Sequence, residues 1–499
     1  MNKRLVKLNL ITSIILQFAT IVSGFITPKV LLKAFGSETN GLVSSINQFI
    51  NYITLLEGGV TSVAIASLYK PINNNDMHEI SKKISAISHY FRTLSILSAL
   101  FTIIVGLIYP LLVKTDFSNL YIFLLTCVLG GHLLIQYSLS ITYKIFLRAD
   151  QKVYYISLTQ LIIVVINLAV VIVTVNYFKD ILIVKMASLA TYLIQPLMYT
   201  TYVKRHYDIP KISKKEVGTL DQKWDGFGIN LAYFVHSNTD IVLLTFLSTL
   251  ANVSVYSIHN LIVSSLKAVV VTMSSSFSPT MGTIIAKDDN VKTNKVFDRY
   301  ELIIVLLSFI LFTCGAELIT SFVDVYTKGI YDTDYHQPVF GIILMLAEMM
   351  YCIRDPYVNV TYASGHFRQT AKFAYIEAVT NIVISIILIR FLGLIGVAIG
   401  TLIAMFIRTI LHVLYLRGNI LRRPASLFIK KFVLFGVPSI AAFITCKSLI
   451  VKDISTYRAW ISQAIMCFIV TAALNFVVAF SFYKNELIDI ISAMKPSKK

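Results

Sequence analysis

The stretch ISLTQLIIVVINLAVVIVTVNY, residues 156–177, contains no charged side chain and is mostly apolar. About 20 consecutive apolar residues form a helix long enough to cross the hydrocarbon core of a bilayer. Stretches of similar length recur along the chain, so the sequence predicts an all-α integral membrane protein with about fourteen transmembrane helices. The predicted spans are residues 10–35, 41–68, 93–113, 120–147, 156–177, 181–203, 227–249, 254–282, 300–322, 337–360, 371–391, 394–416, 432–451 and 458–483.

The composition of the whole chain agrees with this class, since 56% of its 499 residues are hydrophobic and only 14% are charged. Most of the 44 Lys and Arg residues lie at the two termini and in loops on one side of the predicted membrane. By the positive-inside rule, we expect both termini in the cytoplasm. The net charge of +18 is spread over many short loops, which argues against nucleic acid as a partner.

The most polar connection is KRHYDIPKISKKEVGTLDQKWDG, residues 204–226, and it separates six predicted spans from eight. A weak internal repeat, VSSINQFI at 43–50 and VYSIHNLI at 255–262, favours a duplicated six-span unit. Repeats of this kind are typical of transporters whose two halves rock about a central site. We therefore predict an N-lobe (1–203), a cytoplasmic linker (204–226), a C-lobe (227–416), two appended helices (432–483) and a cytoplasmic tail (484–499).

Ionisable side chains are rare in these spans and costly in a bilayer, so each marks a candidate functional position. Lys267 lies near the middle of its span, where we predict a cation that binds substrate. Asp240 also lies near mid-span, one helical turn after His236, and this pair is a candidate site for a coupling ion. Glu57 and Glu348 are further candidates for that role.

Two arginines and several uncharged polar residues complete the predicted substrate-binding set. Both arginines also have a non-functional interpretation. Arg354 is compatible with a simple ion pair with its neighbour Asp355 at the membrane interface, and Arg408 is compatible with a side chain that extends to the interface. Span 1 carries a polar stripe at helical spacing, which is equally compatible with tight helix packing. Its members are Ser13, Gln17, Thr20, Gly24 and Thr27. The predicted substrate-binding residues are Lys267, Arg354, Arg408, Gln17, Asn47, Asn51 and Asn260.

Motifs of soluble enzymes are missing from the sequence. It has no Walker A sequence and no H-E-x-x-H pair, so we expect no catalytic residues, no metal and no nucleotide cofactor. Its five cysteines are scattered among the spans without a C-x-x-C pair, which indicates apolar packing. An H⁺ or Na⁺ gradient is then the expected source of energy.

Several segments resemble the Wzx-type polysaccharide repeat-unit flippases of the multidrug/oligosaccharidyl-lipid/polysaccharide flippase (MOP) superfamily. The resemblance runs through nearly the whole chain, although its motifs do not specify the sugar. The segments are GSETNGLVSSINQFINYITLLEGGV (36–60), SLYKPINNND (67–76), WDGFGINLAYFVHSNTDIVLLT (224–245), VSVYSIHNLIVSSLK (253–267), GHFRQTAKFAYIEAVTNIVIS (365–385) and GLIGVAIGTLIAMFIR (393–408).

This resemblance implies two pseudo-symmetric six-helix lobes around a central cavity, with two C-terminal helices appended. The implied substrate is an oligosaccharide on undecaprenyl pyrophosphate, moved from the inner to the outer leaflet of the bacterial cytoplasmic membrane for capsule or O-antigen synthesis. Polysaccharide polymerase and assembly proteins are implied partners beside the lipid bilayer. In relatives, cationic side chains of the first, second, seventh and eighth membrane spans meet the pyrophosphate. Lys267, in the eighth predicted span (254–282), fits that pattern.

Two other functions are compatible with the sequence. A multidrug or cation antiporter of the same superfamily is the nearer one, although such proteins typically have twelve spans. A membrane-embedded polysaccharide polymerase is the other, but those enzymes usually carry a sizeable external catalytic loop. The largest external connection here is DVYTKGIYDTDYHQ, residues 323–336.

Overall fold

The computed structural model describes residues 3–57, 60–210, 238–285, 290–449 and 454–494. Throughout these ranges the regular structure is helical, and no strand occurs in them. The predicted all-α fold is therefore confirmed. Each of the fourteen predicted spans overlaps helical chain, although the span at 227–249 is described only from residue 238.

The chain divides into two compact units, one of residues 1–234 with 249–254 and the other of residues 235–248 with 255–499. Most of the predicted linker, 211–226, lies outside the described residues. The helices of the first unit are α1 (Lys3–Asn51), α2 (Val60–Asn73), α3 (Met77–Leu112), α4 (Asn119–Ile135), α5 (Ile141–Ala149), α6 (Val153–Tyr177), α7 (Ile181–Thr191) and α8 (Ile194–His206).

The second unit holds the remaining helices, of which α10 starts in the segment assigned to the first. Within it, α14 packs closely along α15, and α13 packs on α12 and α15. The helices are α9 (Asn238–Leu247), α10 (Leu250–Ser275), α11 (Ser278–Ile285), α12 (Asn290–Tyr326), α13 (Pro338–Ala363), α14 (Phe367–Leu392), α15 (Leu394–Asn419), α16 (Ser426–Leu449) and α17 (Tyr457–Met494).

Helix α1 contains the first predicted span and the beginning of the second, and Gly36 lies between them. Gly36 has φ +79°, a left-handed conformation that interrupts the helix and that glycine adopts without the steric cost of a Cβ atom. The second predicted span, 41–68, is not one continuous helix. A 3₁₀ segment, Tyr52–Glu57, follows α1, and α2 begins only at Val60.

A single π-helical turn, Gln136–Ser140, joins α4 to α5 within the predicted span 120–147. Such a turn inserts an extra residue into the helix and changes the direction of the side chains that follow it. π-Helical turns of this length occur frequently at functional sites. Hydropathy does not reveal this interruption, because the chain is apolar on both sides of it.

Eleven helices of the described residues are long and apolar enough to span a membrane. Three differences separate this number from the fourteen predicted spans. The first two predicted spans are counted together, because one continuous helical stretch, Lys7–Leu55, contains the first and much of the second. The span at 227–249 is only partly described. Helix α13 is not among the eleven, since its middle carries Glu348, Arg354 and Asp355. Outward faces are apolar: on α3, Leu111 is 76% exposed, as expected for contact with lipid. The chain is thus a multi-pass membrane protein.

An ionic cluster fastens α16, the first of the two appended helices, to α12. The Glu301 carboxylate on α12 is fully buried and lies 2.5 Å from the Lys431 amine on α16. Arg423, in the connection before α16, lies 2.9 Å from the same carboxylate, and the Tyr357 hydroxyl donates to it. Buried charges persist when they are paired in this way, so we assign Glu301 to packing.

The orientation inferred from the basic residues has a direct test. In a cysteine-free background, we expect His206→Cys, at the end of α8, to resist a membrane-impermeant thiol reagent applied to intact cells. Tyr331→Cys, in the exposed connection between α12 and α13, should react. The physical reason is that the two positions lie on opposite sides of the membrane. Labelling of His206→Cys in sealed cells would contradict the topology, and Tyr331→Cys is the positive control.

Candidate functional site

Asp240 on α9 lies at the centre of a buried polar cluster and is only 4% exposed. Its carboxylate accepts hydrogen bonds from Thr401 Oγ1 at 2.7 Å, Tyr256 Oη at 3.0 Å and Asn381 Nδ2 at 3.1 Å. Ser385 in turn donates to the side-chain oxygen of Asn381 at 2.8 Å. Four helices, α9, α10, α14 and α15, therefore meet at one carboxylate.

Close approach of α14 and α15 makes this cluster possible. A Cβ atom at Gly400 would lie 2.2 Å from Ser385 Oγ and 3.2 Å from the Asn381 carbonyl oxygen. Only glycine fits there, so the helices approach closely enough for Asn381 and Thr401 to reach the same carboxylate. The motif GLIGVAIGTLIAMFIR thus has a structural reason for its third glycine.

The groups of this cluster suit a hard monovalent cation or a proton. The Asp240 carboxylate and the Thr401 and Tyr256 hydroxyls supply oxygen ligands, which hard cations prefer, whereas Asn381 turns its amide nitrogen to the carboxylate. Among the described residues no cluster of three or more His, Cys, Asp or Glu side chains exists that would hold a transition metal. His236, the predicted partner of Asp240, lies outside the described residues.

Lys267 on α10 forms an ion pair with Glu348 on α13. Lys267 Nζ lies 2.9 Å from Glu348 Oε2, and the two side chains are 16% and 11% exposed. The same amine lies 4.0 Å from the centre of the Tyr351 ring, within the range of a cation–π contact. The structure thus joins a predicted substrate cation and a predicted coupling carboxylate in one contact.

Arg354 and Arg408 share a single carboxylate, that of Glu377 on α14. Arg354 Nη1 lies 3.1 Å and Arg408 Nη1 2.6 Å from Glu377 Oε2, and all three side chains are buried. Removing the carboxylate from such a cluster costs about 3–5 kcal/mol, because two buried charges lose their partner. In this conformation both guanidinium groups hold α13, α14 and α15 together, and their predicted role toward substrate stays a prediction.

Asp355 does not pair with the neighbouring Arg354 in the manner of a simple interfacial ion pair. Its carboxylate accepts hydrogen bonds from Ser274 on α10 and, at 2.9 Å, from Asn359 Nδ2 one turn along α13. Adjacent residues point to different faces of a helix, so Arg354 meets Glu377 while Asp355 meets α10. The ion-pair interpretation of these two residues is therefore wrong.

Glu57, in the first unit, ends the 3₁₀ segment and accepts two hydrogen bonds. Thr61 Oγ1 donates at 2.8 Å and the Tyr137 hydroxyl, from the π-helical turn, at 3.0 Å. The structure thus gives this carboxylate partners within the first unit. Its predicted coupling role stays a prediction.

The uncharged residues predicted to bind substrate occupy different environments. Gln17 is exposed on α1, whereas Asn47, Asn51 and Asn260 are half-buried in α1 and α10. The polar stripe of span 1 divides in two, since Ser13 hydrogen-bonds Ser157 on α6 at 3.2 Å. Three further members, Thr20, Gly24 and Thr27, line a cavity of the first unit. The stripe therefore serves both helix packing and a cavity.

Three partners of Asp240 escaped the sequence reasoning: Tyr256, Asn381 and Thr401. Each is an ordinary polar residue in an apolar helix, and the last two are 141 and 161 residues from Asp240 along the chain. One signal was present in the sequence. Asn381 and Ser385 lie four residues apart, on one face of the predicted helix 371–391.

Comparison with known proteins gives structural likeness alone. No protein-family model matches the chain, and no curated protein matches it in sequence. Among solved structures, lipid II flippase MurJ in an inward closed conformation superposes with a TM-score of 0.68 at 16% identity, covering 95% of this chain and 100% of its own.

Two multidrug transporters of the MATE type are also similar. An inward-facing MATE family transporter of the MOP superfamily has a TM-score of 0.62 at 13% identity, covering 80% of this chain and 95% of its own. MATE transporter DinF-BH has a TM-score of 0.62 at 15% identity, covering 85% and 97%. The chain therefore has the fold of the MurJ and MATE transporters of the MOP superfamily.

Proposed function

We propose that this protein carries oligosaccharides linked to undecaprenyl pyrophosphate from the inner to the outer leaflet of the bacterial cytoplasmic membrane. The product feeds the synthesis of a surface polysaccharide such as capsule or O-antigen, with polymerase and assembly proteins as downstream partners. One observation supports this most: the match to the flippase MurJ covers 95% of the chain, whereas the matches to the two MATE structures cover 80% and 85%.

The chemistry of such a substrate fits the second unit. A pyrophosphate and its sugars cannot cross hydrocarbon unaided, so polar and cationic side chains must replace water around them. Lys267 is a compact cation suited to phosphate. Because Glu348 holds it in this conformation, the phosphate replaces that carboxylate when it binds. The prenyl tail stays in the lipid throughout.

Energy comes from an ion gradient in this proposal, and Asp240 is the coupling site. A buried carboxylate prefers to be neutralised by a proton or a cation. Binding of H⁺ or Na⁺ there changes the hydrogen bonds that join α9 to α14 and α15. A ligand that binds one conformation better shifts the population toward it, which is the basis of alternating access.

The likeness to MATE transporters favours multidrug export as a second candidate function. The appended helices α16 and α17 and the anion-compatible Lys267 favour the lipid-linked substrate instead, since multidrug substrates are commonly apolar cations. A third possibility, an enzyme that polymerises glycans, has no support among these structural neighbours, which are all transporters or flippases.

Reconstitution distinguishes the candidates. Purified protein in proteoliposomes, with an imposed H⁺ or Na⁺ gradient, should transfer a fluorescent undecaprenyl-pyrophosphate-linked oligosaccharide to the leaflet where a membrane-impermeant glycosidase can cleave it. Protein-free vesicles are the control. Vesicles that accumulate a cationic dye but leave the glycan protected would establish multidrug transport and reject the flippase.

A further inference from the structure

The first unit contains a cavity of about 600 Å³, lined by α1, the π-helical turn, α5, α6, Tyr192 and α8. This volume lies within the range of about 300–1,000 Å³ typical of sites for small ligands. All of its lining residues belong to the first unit, and the cavity is distinct from the Asp240 and Lys267 contacts described above. None of its lining residues was predicted to bind substrate.

Four carboxamide side chains line this cavity, which is unusual at the depth of a bilayer. Asn167 lies in the middle of α6, and Gln195 near the middle of the span formed by α7 and α8. Gln136 belongs to the π-helical turn and Gln160 to α6. Polar groups are costly in hydrocarbon, so their convergence marks a cavity that holds water or a polar ligand.

Among the described residues, two of these amides have a hydrogen-bond partner and two do not. Asn167 accepts a hydrogen bond from Ser188 at 2.6 Å, and Gln195 donates to Tyr199 at 3.3 Å. Within the described ranges, the side chains of Gln136 and Gln160 make no hydrogen bond to other residues, and Thr27 Oγ1 is buried without one. A ligand with hydroxyl groups supplies both the donors and the acceptors that these groups lack.

Lys144 on α5 adds one positive charge to the lining. Its amine has no carboxylate within ion-pair distance among the described residues, and the charged groups that act on it are Glu57 and Arg148. An amine that is not neutralised in direct contact disfavours a cationic ligand and attracts an anionic one. The π-helical turn contains Gln136 and directly precedes α5, which carries this lysine, so it helps to set the directions of both side chains.

We propose that this cavity binds a saccharide that carries an acidic group, with the acid at Lys144 and the sugar hydroxyls at the carboxamides. The proposal rests on the proposed transport of a glycan, and it names an acidic sugar of the repeat unit as the part that enters the first unit. A neutral apolar ligand would leave the amide groups without hydrogen bonds, and this desolvation cost disfavours its binding.

Gly24 on α1 lines the cavity and is a suitable position for a reporter side chain. A Cβ atom built there meets no heavy atom within 4 Å, so a side chain at this position projects into open space. Gly24→Cys, in a background without the five native cysteines, is therefore a reporter for the interior. A hydrophilic maleimide should label it in the purified full-length protein, because a cavity lined by amides contains water.

Protection of this cysteine tests the ligand. We expect a disaccharide containing glucuronic acid to slow the labelling, and Lys144→Met to raise its half-protecting concentration at least tenfold. Lys144→Arg should raise this concentration less. Lys204 is an exposed lysine at the end of α8, and Lys204→Met should leave the concentration unchanged. A neutral disaccharide should protect more weakly and equally with or without Lys144.

Several outcomes would overturn the proposal. These are a Gly24→Cys that hydrophilic reagents do not label, a lack of protection by the acidic disaccharide, or protection that is the same in Lys144→Met. Inorganic pyrophosphate that protects through Lys144 better than the acidic disaccharide would also overturn it, since the lipid carrier's phosphate would then occupy the cavity. If Lys144→Met cannot be purified, Gln160→Leu should weaken protection by both disaccharides.

Failure of this inference is distinguishable from failure of the proposed function. Wild-type proteoliposomes that flip a lipid-linked glycan, together with an unprotected Gly24→Cys, would retain the flippase and reject the cavity as its sugar site. Protection by the acidic disaccharide without flipping of any lipid-linked glycan would retain the binding site and reject the flippase.

Discussion

Asp240→Asn is expected to abolish gradient-driven transport while the lipid-linked substrate still binds. Asparagine keeps the shape of the side chain and removes the charge that a proton or cation would neutralise. The Thr401 and Tyr256 hydroxyls can still donate to its oxygen. The amide nitrogen of the introduced asparagine then faces Asn381 Nδ2, which loses its acceptor unless one of the two amide groups rotates by 180°. We expect initial rates under an ion gradient to fall at least tenfold, to the level of vesicles without a gradient.

Thr401→Val provides the matched control for this variant. It removes one hydrogen bond to the carboxylate and leaves the charge in place, so coupling should weaken without being lost. Transport is measured in proteoliposomes with imposed Na⁺ and H⁺ gradients separately, which also identifies the ion. If Asp240→Asn transports with undiminished dependence on the gradient, the coupling site lies elsewhere, and Glu57 and Glu348 are the carboxylates to test next.

The sequence identified Asp240 but not its surroundings, and the reason is physical. A carboxylate in an apolar span is conspicuous because of its cost in hydrocarbon. Asn381, Thr401 and Tyr256 are inexpensive in a helix, and only the folded chain brings them to one carboxylate. The length and apolar character of the helices, by contrast, follow from the bilayer, so the all-α fold was predictable from composition and span length alone.

Pairing among the charged residues was the least predictable feature. The sequence predicts Lys267 as a cation that binds substrate and does not reveal its partners, whereas the structure places Glu348 and the ring of Tyr351 beside it. Arg354 meets Glu377 rather than the adjacent Asp355. Sequence order does not reveal such partners, since they depend on helix rotation and on which helices are neighbours. The interruption of the second predicted span at the 3₁₀ segment is local, yet hydropathy alone does not detect it either.

The Lys267→Ala variant is expected to lose export of the surface polysaccharide, while the protein stays in the membrane. The amine is the group suited to the pyrophosphate, and alanine removes both its charge and its reach. Lys267→Arg should keep partial activity, because a cation remains opposite Glu348, although its planar head fits the site differently. Export is measured as surface polymer at equal amounts of membrane-inserted protein.

Loss of activity in Lys267→Ala has a second possible cause, because the change leaves Glu348 as a largely buried charge without its lysine. An orphaned charge of this kind costs about 3–5 kcal/mol when fully buried and less here, where some solvent reaches it. The double variant Lys267→Ala, Glu348→Gln removes both charges and relieves that cost. If Lys267 contacts the phosphate, the double variant should remain inactive despite recovered stability in detergent. Export restored to the wild-type level in the double variant would show that the lysine only neutralises Glu348.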